Sequence, residues 1–193
     1  MNGKSSGILV ATLLLFFGIN SGFAQIRTFE ETLSKSGMLF EMPQGYEEVP
    51  VIDNSSMKYS YAIKDKETGI EVRYRIDLVD TNDSSQVKQQ GNEGMAALAV
   101  LYNISDKSAQ VPELAKRLMV VKKEQANRDY NADAAFISFL KPGEEFGQEY
   151  KNCGMSLITK EGVAKAWIFM LFDDGDSFRQ HGRHVVTALK FSE

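Results

Sequence analysis

Two histidines near the C-terminus have a spacing that can ligate a metal ion. His181 and His184 lie three residues apart, so on a helix they would share one side, and Asp176 lies shortly before them. Imidazole nitrogens and carboxylate oxygens bind zinc, but a site needs three or four ligands that converge. The competing interpretation is an acidic capping turn followed by a solvated helix face. The sequence therefore names His181, His184 and Asp176 as candidate metal ligands.

The single cysteine is the only candidate for a thiol nucleophile. Cys153 would need a histidine within hydrogen-bond reach as its base, and the surrounding residues YKNCGMS match no catalytic signature. The competing interpretation is a small, partly buried residue at the start of a strand. The sequence also lacks a nucleophile elbow and a phosphate-binding glycine loop. A metal- or Cys-dependent hydrolase is therefore an alternative prediction, and no cofactor is predicted.

Charged and apolar residues alternate along two consecutive segments, 57–64 and 70–78. A period of two predicts strands, and the charged turn closed by Gly69 predicts an antiparallel hairpin. One face would be apolar, with Met57, Tyr59, Tyr61 and Ile63 on its first strand. The other face would be charged, and its members include Lys58, Lys64, Glu71, Arg73, Arg75 and Asp77. Two interpretations stay open for this face: a docking surface centred on Lys58, Arg73, Arg75 and Asp77, or an ordinary solvated sheet face with ion pairs.

The first twenty-four residues, MNGKSSGILVATLLLFFGINSGFA, have the pattern of a secretory signal peptide. Lys4 supplies a positive start, the run from Ile8 to Ile19 is apolar, and Gly22 and Ala24 are the small residues that signal peptidase requires. The apolar run is shorter than the roughly 20 residues that span a bilayer. We therefore expect cleavage after Ala24 and a periplasmic or secreted protein with no transmembrane segment in the mature chain.

Composition narrows the classes of partner. The full chain has 22 basic and 26 acidic residues, and the predicted signal contains only Lys4, so the mature net charge is 21 − 26 = −5. This mild acidity gives no electrostatic reason to expect nucleic acid or an anionic membrane as a partner. A lone cysteine forms no internal disulfide, so the core alone must hold the domain together. The length after the signal fits one domain.

The order of predicted elements indicates the fold class. Residues 25–37 are expected to be a flexible lead, and a single domain is expected over 38–193. In its first half we predict a strand at 38–42, an edge segment at 46–52, the hairpin, a helix from Asn92 and a helix from Pro112 to about 127–131. In its second half we predict central strands at 134–140 and 166–172, a partner strand at 155–159 and a helix at 178–189. The helix from Asn92 is expected to face inward with Met95, Leu98, Leu101 and Tyr102. This order predicts an α+β fold, with an antiparallel sheet packed by helices in an α/β/α sandwich.

Two segments resemble the Mog1/PsbP-like family. The opening FEMPQGY, Phe40 to Tyr46, is similar to the family's strand, proline, glycine and aromatic start, and the closing SFRQHGRHVVTALKF, Ser177 to Phe191, is similar to its terminal helix. The resemblance covers nearly all of 38–191 and implies an accessory or binding role without catalysis.

The leading hypothesis is accordingly an exported, non-enzymatic accessory or binding protein of the cell envelope. Its expected partner is an envelope or extracellular protein. The alternatives are the hydrolase described above and a small-ligand carrier, which would need a sizeable apolar pocket between sheet and helices.

Overall fold

The computed structural model describes residues 25–80 and 92–193, so the predicted signal peptide lies outside the described residues. In chain order the described elements are α1 (25–36), β1 (Met38–Phe40), β2 (Tyr46–Glu48), β3 (Tyr61–Asp65), β4 (Glu71–Leu78), α2 (Glu93–Ile104), α3 (Val111–Arg117), β5 (Met119–Val120), α4 (Lys123–Tyr130), β6 (Ala134–Leu140), α5 (Glu144–Gly147), β7 (Asn152–Lys160), β8 (Ala164–Phe172), α6 (Gly175–Val186) and β9 (Leu189–Phe191). Within these ranges no helix is both long enough and apolar enough to cross a membrane.

Seven strands form one antiparallel sheet in the order β2-β3-β4-β8-β7-β6-β5. The predicted hairpin is present as β3–β4. The predicted partner strand, β7, pairs with β8 in a second hairpin, where Gly162 makes the turn at a positive φ of 69°, which favours glycine. Strand β8 occupies the centre, as its uninterrupted apolar sequence predicts. Strand β6 was also predicted to be central, but among the described strands it is next to last, with β5 beyond it at the edge.

Helices cover both faces of this sheet. On the first face, α1, α4, α6 and the small β1–β9 ribbon pack against the sheet through buried residues that include Phe29, Ala126, Val185 and Phe191. On the second face, α2, α3 and α5 pack through residues that include Leu101, Leu114 and Phe146. The predicted α+β architecture, an antiparallel sheet between helical layers, is confirmed.

The C-terminal helix begins where the acidic turn predicts. Asp174 is its N-cap, and its carboxylate accepts hydrogen bonds from the backbone N–H groups of Asp176 and Ser177 at 3.1 and 3.0 Å. The helix ends at Val186, earlier than predicted, because Leu189–Phe191 leaves it to pair with Met38–Phe40 as β9.

Two predicted elements and the predicted inward face of one confirmed helix are wrong. Residues 25–36 form a helix instead of a flexible lead, since Phe29 is buried and stacks on Tyr61 at 4.2 Å. The predicted helix from Pro112 is two helices, α3 and α4, separated by edge strand β5. Helix α2 buries Ala97, Leu101 and Ile104, whereas Met95 and Tyr102, predicted to face inward, are exposed.

The predicted apolar face of the first hairpin is broken at Ser60. The Ser60 N–H donates to the carbonyl of Tyr74 at 2.9 Å, while Tyr61 is the register partner of that same residue. Two residues opposite one is the geometry of a β-bulge, which changes the face on which the following side chains lie. Tyr61 therefore packs in the first core and Met57 in the second, although both were assigned to one face.

Candidate functional site

A buried arginine lies at the base of the candidate site. Arg73, on β4, has a side chain only 3% exposed, and its Nε donates to a carboxylate oxygen of Glu71 at 2.7 Å. Its guanidinium lies 4.9 Å from the ring centroid of Tyr59 and 5.1 Å from that of Phe146. The prediction of a solvated or docking face is therefore wrong for Arg73 and Glu71, because both side chains are buried and two aromatic rings lie against the Arg73 guanidinium.

Tyr150 completes the buried network. Its hydroxyl donates to Glu71 at 2.8 Å and accepts from the Lys64 ammonium at 2.9 Å. Burial, reinforced by the neighbouring Glu71 carboxylate, raises the pKa of the Tyr150 hydroxyl well above its usual value. The hydroxyl therefore stays protonated and holds Glu71 in place.

This network attaches two irregular segments to the sheet. The segment 52–59 contributes the Tyr59 ring, and the Tyr59 hydroxyl accepts a hydrogen bond from the N–H of Ile52 at 2.9 Å. The segment 143–150 contributes Phe146, whose carbonyl accepts from the Arg73 guanidinium. Because Arg73 contacts both segments, it fixes their separation, and these segments form two walls of a surface cleft.

Hydrogen bonds to Glu145 join those walls. Both Ser55 and Ser56 donate hydroxyl hydrogen bonds to the carboxylate of Glu145, the latter at 3.4 Å. The Ser55 hydrogen bond lowers the pKa of Glu145, so this carboxylate is ionised at neutral pH.

The third wall is the end of α2, held by close backbone contact with the segment 141–143. Gly143 donates its N–H to the carbonyl of Ile104 at 2.8 Å, and Asp106 donates its N–H to that of Lys141 at 3.1 Å. A Cβ at Gly143 would lie 2.6 Å from the Ser105 carbonyl oxygen, which is far inside contact distance. Only glycine fits this approach without a shift of the backbone.

These three walls enclose a cavity of about 500 Å³, which we call the polar cleft. Its lining residues are Ser55, Ser56, Tyr102, Asn103, Ser105, Asp106, Lys107, Gly143, Glu144 and Glu145. The Tyr102 side chain is 55% exposed, so a large aromatic ring stands at a polar cavity. A hollow of about 310 Å³ shares Ser105 and Asp106 with the cleft and continues it to Arg117. The lining presents hydrogen-bond donors, hydrogen-bond acceptors and one aromatic face.

The other predicted binding residues lie on the same sheet face or beside it. Arg75 and Asp77 are about two-thirds covered and pair with each other at 2.7 Å, and Asp77 also accepts from the indole N–H of Trp167 at 2.9 Å. Lys58 is exposed. The structure therefore separates the four residues: Arg73 is internal, Arg75 and Asp77 are half-buried, and Lys58 is on the surface.

The candidate metal ligands are not brought together. His181 and His184 are both exposed on α6, and Asp176 pairs with Arg179. Over 25–80 and 92–193, no group of three or more His, Cys, Asp and Glu side chains is arranged to hold a metal ion. The predicted convergence of these three residues is therefore wrong.

Cys153 is unsuited to nucleophilic chemistry. It is fully buried near the start of β7, and burial raises the pKa of its thiol to about 12. A nucleophilic cysteine needs a substantial thiolate fraction and access for its substrate. Cys153 has neither, so it acts as a small core residue.

Neither a protein-family model nor a curated protein sequence matches this chain. The residues of the polar cleft were missed by sequence reasoning, because they come from three separated segments of mostly irregular backbone. The apolar period of α2 gave no signal either, because Tyr102 falls on the predicted inward face, and only the structure shows that Ala97, Leu101 and Ile104 set the buried face.

Proposed function

We propose that this protein is an exported, non-enzymatic accessory protein of the cell envelope that binds another protein through the polar cleft. The signal-like N-terminus supports export, and the resemblance of Phe40 to Tyr46 and Ser177 to Phe191 to the Mog1/PsbP-like family supports an accessory role. The observation that carries the proposal is the cleft itself, with exposed Tyr102 at a pre-formed polar cavity.

The construction of the cleft favours binding. Its walls are fixed from below by Arg73 and from the side by the hydrogen bonds to Glu145, so little conformational freedom is lost when a partner binds. Aromatic residues at such sites often contribute much of the binding energy, because they bury a large area with few rotatable bonds. Tyr102 is the residue we assign to this role, with Glu144 and Asn103 as polar contacts at its side.

The test is crosslinking in intact cells, followed by affinity purification of the tagged protein and mass spectrometry. We expect one envelope protein to be enriched with the native chain and reduced about tenfold or more with Tyr102→Ala, the loss typical of an aromatic anchor. The matched control is Tyr130→Phe, a conservative change to a buried tyrosine of α4 on the opposite face. Equal enrichment with Tyr102→Ala would place the partner elsewhere, and the absence of any enriched envelope protein would refute the proposed function.

A further inference from the structure

Strand β5 forms an exposed edge of the seven-stranded sheet. Met119 and Val120 are 50% and 72% exposed, although both are apolar. The flanking residues continue the extended backbone, with φ and ψ of −76° and 113° at Leu118 and −58° and 139° at Lys122. We call residues 118–122 the β5 edge.

The β5 edge presents backbone hydrogen-bonding groups away from the sheet. The Val121 N–H donates inward to the carbonyl of Ala135 at 2.9 Å. Since alternate residues of an antiparallel strand direct their N–H and C=O groups to opposite sides, those of Val120 point outward. Such an edge can accept a further strand, with main-chain hydrogen bonds providing affinity and alternate side chains providing selectivity.

Positive charges flank this apolar edge on both sides. Lys116 and Arg117 precede it and Lys122 and Lys123 follow it, all of them exposed, in a mature chain whose predicted net charge is −5. One of the four, Lys116, already pairs with Glu113 at 2.8 Å. The remaining local charge is opposite in sign to that of the protein as a whole.

The charge pattern selects among possible occupants. A second copy of the chain, paired antiparallel about Val120, would bring Lys122 and Lys123 of one copy to the same end of the strand pair as Arg117 of the other. Like charges gathered at both ends would disfavour that pair. A segment with an apolar, alternating centre and acidic residues at both ends has the complementary pattern. We infer that the β5 edge binds an extended, acidic-flanked segment of the partner protein as an eighth strand of the sheet.

This inference rests on the proposed function, since the segment belongs to the same partner. The hollow that extends the polar cleft reaches Arg117, next to the β5 edge, so one partner can contact both surfaces. The edge is nevertheless tested without the cleft, by using a synthetic peptide as the probe.

The probe is a labelled peptide of alternating Val and Thr with two Glu residues at each end. The comparison peptides have the same centre with Lys at both ends, or with a central Pro that interrupts strand pairing. Fluorescence anisotropy of the full mature chain at low salt should show the Glu-flanked peptide binding at least about tenfold more tightly than the other two. Hydrogen exchange should slow at the outward amide of Val120 when the peptide is bound.

Variants separate strand addition from nonspecific attraction. Lys122→Glu with Lys123→Glu should reverse the preference toward the Lys-flanked peptide, whereas Lys35→Glu with Lys66→Glu, at exposed sites on other elements, should not change it. Val120→Pro should abolish binding of either peptide, because proline removes the outward N–H while Met119 and Val121 keep the inward pairing.

Equal affinity for Glu- and Lys-flanked peptides, no measurable binding, or a dimer formed through the edge would each overturn the inference. If neither peptide binds, the flanking lysines serve only to prevent edge-to-edge aggregation. If the chain dimerises through the edge, they do not prevent it. Cleft-dependent capture of an envelope protein alongside a negative peptide result would refute the edge inference and leave the proposed function intact.

Discussion

Replacing Arg73 by methionine should strongly destabilise the fold. The Arg73 and Glu71 side chains are 3% and 9% exposed and lie 2.7 Å apart, so removal of the guanidinium leaves a carboxylate buried without its main partner. Breaking a buried pair in this way costs about 3–5 kcal/mol of unfolding free energy. Lys64, 3.9 Å from Glu71 and 42% exposed, compensates only weakly.

The matched control is Arg75→Met, two positions along the same strand and on the same face. Its pair with Asp77 has the same 2.7 Å separation, but the side chains are 37% and 39% exposed. Solvent screening limits such a pair to about 0–1 kcal/mol. The comparison therefore varies burial while it keeps the strand, the residue types and the distance nearly constant.

The assay is urea unfolding monitored by fluorescence of Trp167, the only tryptophan in the chain, which is 4% exposed when folded. Stability follows from the transition midpoint and slope. Adding Glu71→Gln to Arg73→Met should recover about 1–3 kcal/mol, because the uncharged amide oxygen still accepts the Tyr150 hydrogen bond. An Arg73→Met cost no larger than that of Arg75→Met, or no recovery with Glu71→Gln, would refute the reasoning.

Three further predictions concern individual residues. Gly143→Ala should lower the free energy of unfolding, measured in urea, by about 1–3 kcal/mol, because the added Cβ would meet the Ser105 carbonyl oxygen. The control is Gly175→Ala, whose added Cβ meets no atom within 4 Å and should change the free energy by less than about 0.5 kcal/mol. Equal costs for the two variants would contradict the close approach at Gly143. Cys153 should not react with a thiol reagent at pH 8 until the chain is unfolded in guanidinium, because burial raises its pKa to about 12, and rapid labelling of the folded protein would contradict this. Hydrogen bonds from Ser108, with a contribution from Lys141, lower the pKa of Asp106 from 3.8 to about 2. The ionised Asp106 carboxylate therefore stabilises the fold fully above about pH 4, and this stabilisation is lost as the pH falls toward 2. The stability difference between the native chain and Asp106→Asn should therefore shrink over that interval, and a difference independent of pH would contradict the assignment.

Periodicity predicted those elements whose apolar pattern is regular along their length. The alternation in 70–78 and the apolar runs at 134–140 and 166–172 correspond to β4, β6 and β8, and the Asp174 cap was visible as an acidic turn. Periodicity gave the wrong structure where tertiary contacts determine the backbone conformation. Nothing local indicates the bulge at Ser60, and the β5 strand interrupts a helical pattern because Met119 and Val120 pair with β6.

The candidate site was less predictable than the fold. A charged strand face usually meets water, and the sequence contains no sign that Tyr59 and Phe146, distant along the chain, cover Arg73. The polar cleft depends on that same coverage. Residues on irregular segments have no periodicity, so their convergence becomes visible only in three dimensions.

Site-specific photo-crosslinking in living cells tests the proposed binding role most directly. A benzophenone amino acid placed at Tyr102, at the polar cleft, is compared with one at Lys35, exposed on α1 across the sheet and away from the β5 edge. We predict a light-dependent adduct with one envelope protein from position 102 and none with that protein from position 35. The same adduct from both positions, or no adduct from position 102 while the protein is exported and folded, would contradict it.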